Sequence, residues 1–309
     1  MWRSETVNLY CINKGLKILF PGDKLIRKKM TEVPMMYKLI AFDLDGTFLD
    51  DNKKIPEENL RAITFAAEQG AQIVPATGRL SGGIPKEISS LPFVRYYILI
   101  NGAKVYDSVE DRIVSAAELS VDTALSLFER GRSLGCLFDC YVDDRGYMEK
   151  KMFDRLPEIA DNPAYLAFMQ KMRTPVDDLP SFVRENAASV QKVQYFFTKD
   201  MMDERERQLS LLSKDFPEIK PASSISFNIE INSVHAGKGP AIAALCRELN
   251  ISPEETIAFG DGMNDLDMIS VAGMGVAMSN SEPELLRIAN KITGSNNEAG
   301  VAKAIYELF

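Results

Sequence analysis

The sequence predicts an α/β fold in which a Rossmann-like, doubly wound parallel sheet carries an inserted α+β domain. Near both ends of the chain, continuous apolar runs alternate with segments of helical periodicity, which is typical of strands buried on both faces of a parallel sheet. In the middle of the chain, the strand-like runs instead alternate apolar and polar residues, which indicates an antiparallel sheet with one open face. The 309 residues are enough for two such domains.

The elements of the predicted core begin with an apolar strand at residues 38–44 that ends in acids. Residues 56–70 follow as a helix, because Pro56 suits the first turn and Gly70 suits the exit. The other predicted core elements are strands at residues 71–76, 96–100, 256–259 and 275–278, and helices at residues 240–249, 265–272, 283–289 and 301–308. This alternation predicts the βα units of a doubly wound sheet.

The middle of the chain predicts the inserted domain. Residues 143–146 form a turn signal between two apolar runs, which indicates a hairpin. The segments 190–198 and 224–231 alternate like strands with one open face, and helices are predicted at residues 122–133, 163–172 and 203–212. We therefore expect an N-terminal extension at residues 1–36, a core formed by residues 37–117 and 227–309, and an inserted domain at residues 118–226.

Charge and cysteine content exclude several classes of function. The net charge is −8, and residues 1–36 carry seven Lys and Arg against three acids, so the remainder is more acidic still. Such a body disfavours general binding to nucleic acid or to an anionic membrane. Four cysteines without a C-x-x-C pair and a single His make a zinc site improbable and indicate reduced thiols in a cytoplasmic protein. No apolar run approaches the roughly 18–20 residues of a membrane span.

The basic segment at residues 1–36 lacks the uninterrupted apolar stretch of a signal peptide. We expect a disordered tail, or a misassigned start with Met30, Met35 or Met36 as the true beginning. A targeting role is the alternative.

The first polar segment that indicates chemistry lies at residues 42–48, where a buried strand ends. Ligands bind at such ends in open α/β sheets. Residues two apart on a strand face the same way, so Asp43 and Asp45 can share one site. Two carboxylates there repel each other unless a cation lies between them, and Mg²⁺ prefers oxygen ligands. Gly46 permits the tight exit from the strand.

Two further segments could bind an anion. Thr77, Gly78 and Arg79 follow the next predicted strand, and their hydroxyl, amide and guanidinium groups can all donate to a phosphate oxygen. Lys238 lies at the start of a predicted helix, where the ammonium and the helix N-terminus together favour an anion. Each signal is weak alone, because T-G-R occurs in many turns and most lysines simply lie on the surface.

The fourth segment, residues 259–265, again follows a predicted strand. Asp261 can ligate the metal, and Asn264 and Asp265 open the next helix, where Asn264 can donate to an oxyanion. Helix capping explains one of these polar residues but not all of them.

In this order, the four segments resemble the four motifs of the haloacid dehalogenase (HAD) superfamily, and the resemblance covers residues 37–309. The inserted domain resembles a large type 2 cap. Further features resemble the Cof-type (subfamily IIB) sugar-phosphatase branch. They are the Gly-Asp-Gly-x-Asn-Asp pattern of residues 260–265, the segment Ile100-Asn-Gly-Ala103, and the segments 277–280 and 300–303. The departures are mild: Phe48 replaces the usual Leu, Gly237 the usual Ser before the lysine, and His235 a frequent Gly.

The resemblance implies a role for each matching residue. Asp43 would be the nucleophile that forms an aspartyl-phosphate, and Asp45 would protonate the leaving oxygen and later deprotonate the attacking water. Mg²⁺ would be held by Asp43, the carbonyl of Asp45 and Asp261, with support from Asp265. The predicted phosphate-binding residues are Thr77, Gly78, Arg79, Lys238 and Asn264.

The function implied is a Mg²⁺-dependent phosphatase whose partner is a small phosphorylated metabolite, such as a sugar phosphate, rather than nucleic acid or a membrane. Pyridoxal phosphate, flavin mononucleotide and hexose phosphates stay open as substrates, and so does the oligomeric state. Two alternatives also stay open: a phosphomutase of the same fold, and a catalytically silent regulator that binds phosphorylated metabolites.

Overall fold

The computed structural model describes residues 8–12, 15–19, 37–160, 162–223 and 225–309. Its strands are β1 (Asn8–Ile12), β2 (Gly15–Leu19), β3 (Leu39–Phe42), β4 (Gln72–Pro75), β5 (Tyr96–Leu99), β6 (Lys104–Asp107), β7 (Arg112–Ala116), β8 (Leu137–Val142), β9 (Arg145–Glu149), β10 (Arg173–Val176), β11 (Lys192–Phe196), β12 (Ile219–Ala222), β13 (Asn228–Ser233), β14 (Thr256–Gly260), β15 (Met274–Ala277) and β16 (Lys291–Ile292). Its α-helices are α1 (Glu57–Glu68), α2 (Lys86–Ser89), α3 (Val121–Leu134), α4 (Lys150–Phe153), α5 (Pro163–Lys171), α6 (Leu179–Asn186), α7 (Met202–Asp215), α8 (Lys238–Leu249), α9 (Leu266–Val271), α10 (Pro283–Ile288) and α11 (Gly300–Leu308). Short 3-10 helices lie at Ser81–Gly83, Ile100–Gly102, Leu156–Glu158, Lys199–Met201, Pro253–Glu255, Met263–Asp265 and Asn296–Glu298.

The predicted fold class is confirmed by a five-stranded sheet in the order β16-β15-β14-β3-β4, in which neighbouring strands are parallel. Helices cover both of its faces. Ile40 and Phe42 of β3 pack into the apolar cluster that contains residues of α1 and α11, whereas Leu39 and Ala41 pack into the cluster that contains residues of α8 and α9. The strand is therefore apolar throughout, and polar residues appear only where it ends.

A small antiparallel sheet, β5-β6-β7, extends the core beyond β4, and Ala76 and Ile98 form a parallel bridge between the two. The sequence predicted β5 but not the hairpin of β6 and β7, which are short and partly exposed. After β5 the chain turns through Ile100 and Asn101, which both have left-handed backbone angles (φ 54° and 57°). This turn points back towards the carboxyl ends of the core strands, because the Asn101 N–H donates to the Thr77 carbonyl at 3.0 Å.

The inserted part of the chain forms a six-stranded sheet, which we call the cap sheet, in the order β10-β9-β8-β11-β13-β12. Its pairs are antiparallel as expected, except for β9 and β10, which are parallel. The predicted hairpin at residues 143–146 is present, with left-handed angles at Asp143 and Asp144 (φ 48° and 61°). Since β13 pairs with β11 and β12, we propose that the inserted domain extends from residue 118 past Ser233, beyond the boundary at 226 that the sequence suggested.

The two faces of the cap sheet differ in chemistry. Val193 and Tyr195 of β11 pack into the apolar cluster with residues of α3, while Lys192 and Gln194 alternate with them on the opposite face. That opposite face is polar and yet buried, since the Lys192 side chain reaches the backbone carbonyl of Gly78 in the core at 3.0 Å. The predicted open face of the inserted domain therefore meets the carboxyl ends of the core strands.

Residues 1–35 and residues 36–309 form two separate compact units. In the first, β1 and β2 pair antiparallel, with Asn8 opposite Leu19. The prediction of a disordered or misassigned segment otherwise falls outside the described residues. Cys136, Cys140 and Cys246 are buried with free thiols. Across the described ranges, no helix is both long and apolar enough to cross a bilayer.

Candidate active site

The carboxyl ends of β3 and β14 bring the first and fourth polar segments together. The two strands are parallel neighbours, and the Asp43 N–H continues their ladder by donating to the Phe259 carbonyl at 3.0 Å. Carboxylate oxygens of Asp43, Asp261 and Asp265 consequently lie within 4.8 Å of one another. The sequence predicted that Asp43 and Asp261 would meet, because each follows a buried strand, and it placed Asp265 at the start of the next helix.

Lys238 joins this acidic cluster from the first residue of α8. Its side chain is fully buried, and its Nζ donates to Asp43 Oδ1 at 2.7 Å and to Asp265 Oδ1 at 2.5 Å. The second oxygen of Asp265 accepts the backbone N–H groups of Asp261 and Gly262, both at 3.0 Å. Asp265 therefore orients both the lysine and the loop that carries Asp261. Its role in supporting a metal ion stays a prediction.

The electrostatics of the cluster favour an additional cation. Burial raises the pKa of Asp43 well above its ordinary value, against the opposing charge of Lys238 and with the charges of Asp265 and Asp261 adding to the rise. Burial and the Asp265 charge also raise the pKa of Asp261 to about 6, although a hydrogen bond from Thr47 opposes this. For Lys238, burial acts to lower the pKa, but the charges of Asp265 and Asp43 outweigh it and raise the pKa above its usual range. One ammonium among three carboxylates leaves the site short of positive charge.

This donor set fits a magnesium ion. Asp43, Asp261 and Asp265 offer only oxygen atoms, the ligands that hard divalent cations prefer. A cation between them would offset the repulsion that contributes to the raised pKa values of Asp43 and Asp261.

Asp45, two residues beyond Asp43, is held by two cations. Arg79 donates from Nε and Nη2 to both of its carboxylate oxygens at 2.7 Å, and Lys53 Nζ lies 2.8 Å from Oδ1. Although burial acts to raise the pKa of Asp45, the hydrogen bond and charge of Arg79, together with Lys53, lower it to about 2. Arg79 also donates to the Gly83 carbonyl. The arginine was expected to bind phosphate, which stays a prediction; in this structure it binds Asp45.

The other predicted phosphate-binding residues lie along the same edge. Thr77 is buried, and its N–H donates to the Ile98 carbonyl at 2.9 Å. Asn264 donates from Nδ2 to Asn101 Oδ1 at 3.2 Å. A Cβ atom at Gly78 would lie 2.7 Å from that same Asn101 oxygen, so the close approach requires glycine.

A cavity of about 810 Å³, which we call the cleft, joins this edge to the cap sheet. On the core side it is lined by Asp43, Asp45, Thr77, Gly78, Asp261 and Asn264. On the cap side it combines aromatic rings with charged and amide side chains, among them Tyr141, Tyr165, Phe168, Arg173, Lys192, Gln194, Phe196 and Glu230. The cleft therefore joins the acidic cluster to a cap side that offers both aromatic and polar groups.

A family model for haloacid dehalogenase-like hydrolases matches residues 40–305, which is most of the chain and includes all of these motifs. The chain belongs to the HAD-like hydrolases. YxeH of Bacillus subtilis (strain 168) is 34% identical to this HAD chain over 277 residues, covering 88% of the chain and 98% of the relative. A second relative from that organism, named 5-amino-6-(5-phospho-D-ribitylamino)uracil phosphatase YcsE, is 29% identical over 268 residues and covers 87% of the chain and 94% of the relative.

Among solved structures, a haloacid dehalogenase-like hydrolase from B. subtilis is 26% identical, with a TM-score of 0.75 over 88% of this HAD chain and 100% of that one. The predicted membership of the HAD superfamily, in its Cof-type branch, is confirmed.

The HAD motifs contain residues whose part in the site the sequence analysis missed. Thr47 Oγ1 donates to Asp261 Oδ1 at 2.6 Å and so orients a candidate metal ligand. Its place in the first polar segment, directly after Asp45 and Gly46, was the available signal. Gly46 has φ +80°, and a Cβ atom there would lie 2.2 Å from Asp261 Oδ2. Asn101 was noted only as part of the Ile100–Ala103 segment, without a role in the site. Lys192 and Glu230 were missed, since nothing local marks their contacts across the cleft.

Proposed function

We propose that this chain is a Mg²⁺-dependent enzyme that hydrolyses small phosphomonoesters through an aspartyl-phosphate on Asp43. It is a phosphatase of the HAD family, as the family match and the phosphatase names of its relatives indicate. The observation that carries the mechanism is the convergence of Asp43, Asp261 and Asp265 around the ammonium of Lys238. Phosphoryl transfer depends mainly on positioning and charge neutralisation, and this cluster supplies both.

Asp43 is the proposed nucleophile. Lys238 binds its Oδ1, which leaves the second oxygen to attack phosphorus while the bond from phosphorus to the ester oxygen breaks. Asp45 delivers a proton to the departing oxygen, and the alcohol leaves. Water then attacks phosphorus, Asp45 takes up its proton, and inorganic phosphate departs with Asp43 regenerated.

Asp45 cannot transfer a proton while Arg79 binds both of its oxygens. We take this pair to be the arrangement before substrate binds. The phosphate of the substrate then displaces the guanidinium from at least one oxygen of Asp45. Arg79 would then be free to donate to the phosphate, as its place in the T-G-R motif suggested.

Bound Mg²⁺ would neutralise charge on the phosphate oxygens. The proposed ligands are Asp43, the Asp45 carbonyl and Asp261, with Asp265 in support. The proposed phosphate donors are Thr77, Gly78, Lys238 and Asn264.

The partner we propose is a small phosphorylated metabolite, and neither nucleic acid nor a membrane. YcsE, by its name, acts on a ribityl phosphate that carries a pyrimidine ring. The aromatic side chains of the cleft, such as Tyr165 and Phe168, suit a planar group of that kind as well as a sugar. A cytoplasmic location is also proposed, because the free thiols of Cys136, Cys140 and Cys246 suit a reducing compartment.

The test is a phosphate-release screen over hexose phosphates, pyridoxal phosphate, flavin mononucleotide and ribityl phosphates, with Mg²⁺ and with EDTA. We expect release only with Mg²⁺, none from Asp43→Asn, and full release from Asp154→Asn, which changes an exposed carboxylate. Equal release by Asp43→Asn, or release in EDTA, would refute the mechanism. Turnover that requires a bisphosphate activator would instead indicate a phosphomutase, and tight binding without release would indicate a silent regulator.

A further inference from the structure

The Ile100-Asn-Gly-Ala103 segment has no role in the mechanism above, yet Asn101 lies between the cap sheet and the phosphate-binding residues. Its side chain is buried, and its backbone is left-handed (φ 57°, ψ 32°). Neighbouring Gly102 packs so closely that a Cβ atom there would lie 2.1 Å from the Gly237 carbonyl, beside Lys238. The segment thus fixes an amide side chain where the core motifs meet.

On its cap side, Asn101 binds a buried ion pair. Asn101 Nδ2 donates to Glu230 Oε2 at 2.6 Å, and Lys192 Nζ lies 3.1 Å from Glu230 Oε1. The same ammonium donates to the Gly78 carbonyl at 3.0 Å and lies over the Tyr141 ring at 4.6 Å. Lys192 and Glu230 belong to adjacent strands of the cap sheet, and both are buried. The charged pair therefore ties the cap to the loop that is proposed to bind phosphate.

On its core side, Asn101 binds a proposed phosphate donor. Its Oδ1 accepts from Asn264 Nδ2 at 3.2 Å. The contacts therefore run from Lys192 through Glu230 and Asn101 to Asn264. Asn101 Nδ2 also donates, at 3.3 Å, to Asn232 Oδ1, which favours the same orientation of the Asn101 amide.

The chemistry of the groups gives this chain of contacts a direction. An ionised carboxylate can only accept, so Glu230 requires the NH₂ end of the Asn101 amide. The oxygen of Asn101 must then face Asn264, which requires the NH₂ end of that amide in turn. One N–H of Asn264 is used in this bond, and the second is left to donate to phosphate. The reversed amide would present an oxygen to the anion and repel it.

We propose that Glu230 and Asn101 are positioning residues that set the amide orientation of Asn264, with Lys192 fixing Glu230, so that the cap sheet prepares the phosphate pocket. This inference rests on the proposed function, because it takes Asn264 as a phosphate donor. A different role is conceivable for the same side chains: Glu230 and Lys192 line the cleft and could instead bind the organic group of the substrate. The two roles differ in what they do to inorganic phosphate, which has no organic group.

The first experiment uses Glu230→Gln, which keeps the shape but removes the charge and adds a donor that can face the Asn101 amide. Only the longer 3.3 Å bond to Asn232 Oδ1 then favours the original orientation of that amide. We expect the Kd of inorganic phosphate, measured by calorimetry with Mg²⁺, to rise about 10- to 100-fold, as for loss of one hydrogen bond to a charged group. We expect kcat/KM to fall by a similar factor for two substrates with unlike organic groups. An unchanged phosphate Kd, or a loss confined to one substrate, would overturn the proposal and assign Glu230 to substrate recognition.

A double variant tests the route through Asn264. If Glu230 acts through that amide, Glu230→Gln should change the phosphate Kd by less than about twofold when added to Asn264→Ala. Additive losses in the double variant would contradict the proposed route.

If Glu230→Gln does not fold, Asn101→Gly tests whether this chain of contacts positions Asn264. Glycine adopts the left-handed angles of residue 101 without strain, so only the side-chain contacts are lost, and we expect the same rise in phosphate Kd. Asp144→Asn is the matched control. Asp144 also ties the cap to the core, by accepting from the Ser81 N–H at 2.9 Å and from Lys104 Nζ at 3.1 Å, and its loss should leave phosphate binding unchanged.

The outcomes separate this inference from the proposed function. If the wild type binds phosphate but hydrolyses no ester, the phosphatase mechanism fails, and the calorimetric comparison of variants still tests the positioning role. If the wild type is active and Asn101→Gly binds phosphate normally, the positioning role fails alone.

Discussion

Replacing Asp261 with Asn should stabilise the metal-free protein while it weakens metal binding. Burial and the neighbouring Asp265 raise the pKa of Asp261 from 3.8 to about 6. A shift of about two units corresponds to about 3 kcal/mol of unfavourable interaction in the ionised folded state. Asparagine carries no charge and can still accept the hydrogen bond from Thr47, so we expect a gain of roughly 1–3 kcal/mol near pH 8, or a few °C in Tm.

The pH dependence of this gain has a definite sign. Between pH 3.8 and about 6 the folded state binds a proton at Asp261 that the unfolded state does not, so the stability of the wild type falls as the pH rises through this window. The advantage of Asp261→Asn should therefore be absent below about pH 4 and complete above about pH 6. Urea unfolding followed by circular dichroism in EDTA measures it, with Asp154→Asn as the control that changes an exposed carboxylate.

Bound magnesium should make the wild type more stable than Asp261→Asn. A ligand at 1,000 times its Kd stabilises the folded state by about 4.1 kcal/mol, which exceeds the advantage expected for the variant. The wild type should gain this stabilisation while the variant gains much less. The reasoning fails if Asp261→Asn is the less stable protein in EDTA at pH 8, or if Mg²⁺ raises the stability of both proteins equally.

Two other substitutions around the same carboxylate have distinct expected outcomes. Thr47→Val removes the hydroxyl that orients Asp261 and should raise the Kd of Mg²⁺ about 10- to 100-fold, measured by calorimetry; an unchanged Kd would show that the bond does not matter for the metal. Gly46→Ala places a Cβ atom 2.2 Å from Asp261 Oδ2 and should reduce phosphate release at least about 100-fold. Gly70→Ala is the control, because Gly70 also has a positive φ (95°) but lies in open space. This control should lose only about 1 kcal/mol of stability and keep its activity. Equal activities of the two glycine variants would contradict the steric argument.

The core fold could be predicted from the sequence because it depends on local patterns of apolar and polar residues. An apolar run that ends in Asp43 and another that ends before Asp261 mark strands covered on both faces, and parallel strands place such residues at one edge. Lys238 carried a weaker signal, an ammonium at the start of a predicted helix, and it became a candidate only because the four segments together resemble the HAD motifs. The small hairpin of β6 and β7 carried no comparable signal, since β6 alternates buried and half-buried residues and β7 is largely exposed, so that neither is a continuous apolar run.

What the sequence could not provide were the pairings between distant side chains. Nothing near Arg79 in the chain shows that its guanidinium binds Asp45, and nothing near Glu230 shows that it binds Asn101. The only local hint at Glu230 is a charged residue between the apolar residues of a strand, which is equally typical of an exposed face. Such contacts depend on how the cap sheet lies against the core, and that packing is set by many weak interactions at once.

The placement of Lys192 and Glu230 has a consequence for how this chain could acquire new substrates. Lys192 contacts the Gly78 carbonyl, and Glu230 contacts Asn101. Substituting either residue to suit another substrate would therefore also disturb the proposed phosphate-binding residues. Gln194, on the same strand as Lys192, bonds instead to Asp139 within the cap sheet. Divergence among descendants should therefore accumulate first at positions such as 194, while 192 and 230 change only together with their core partners.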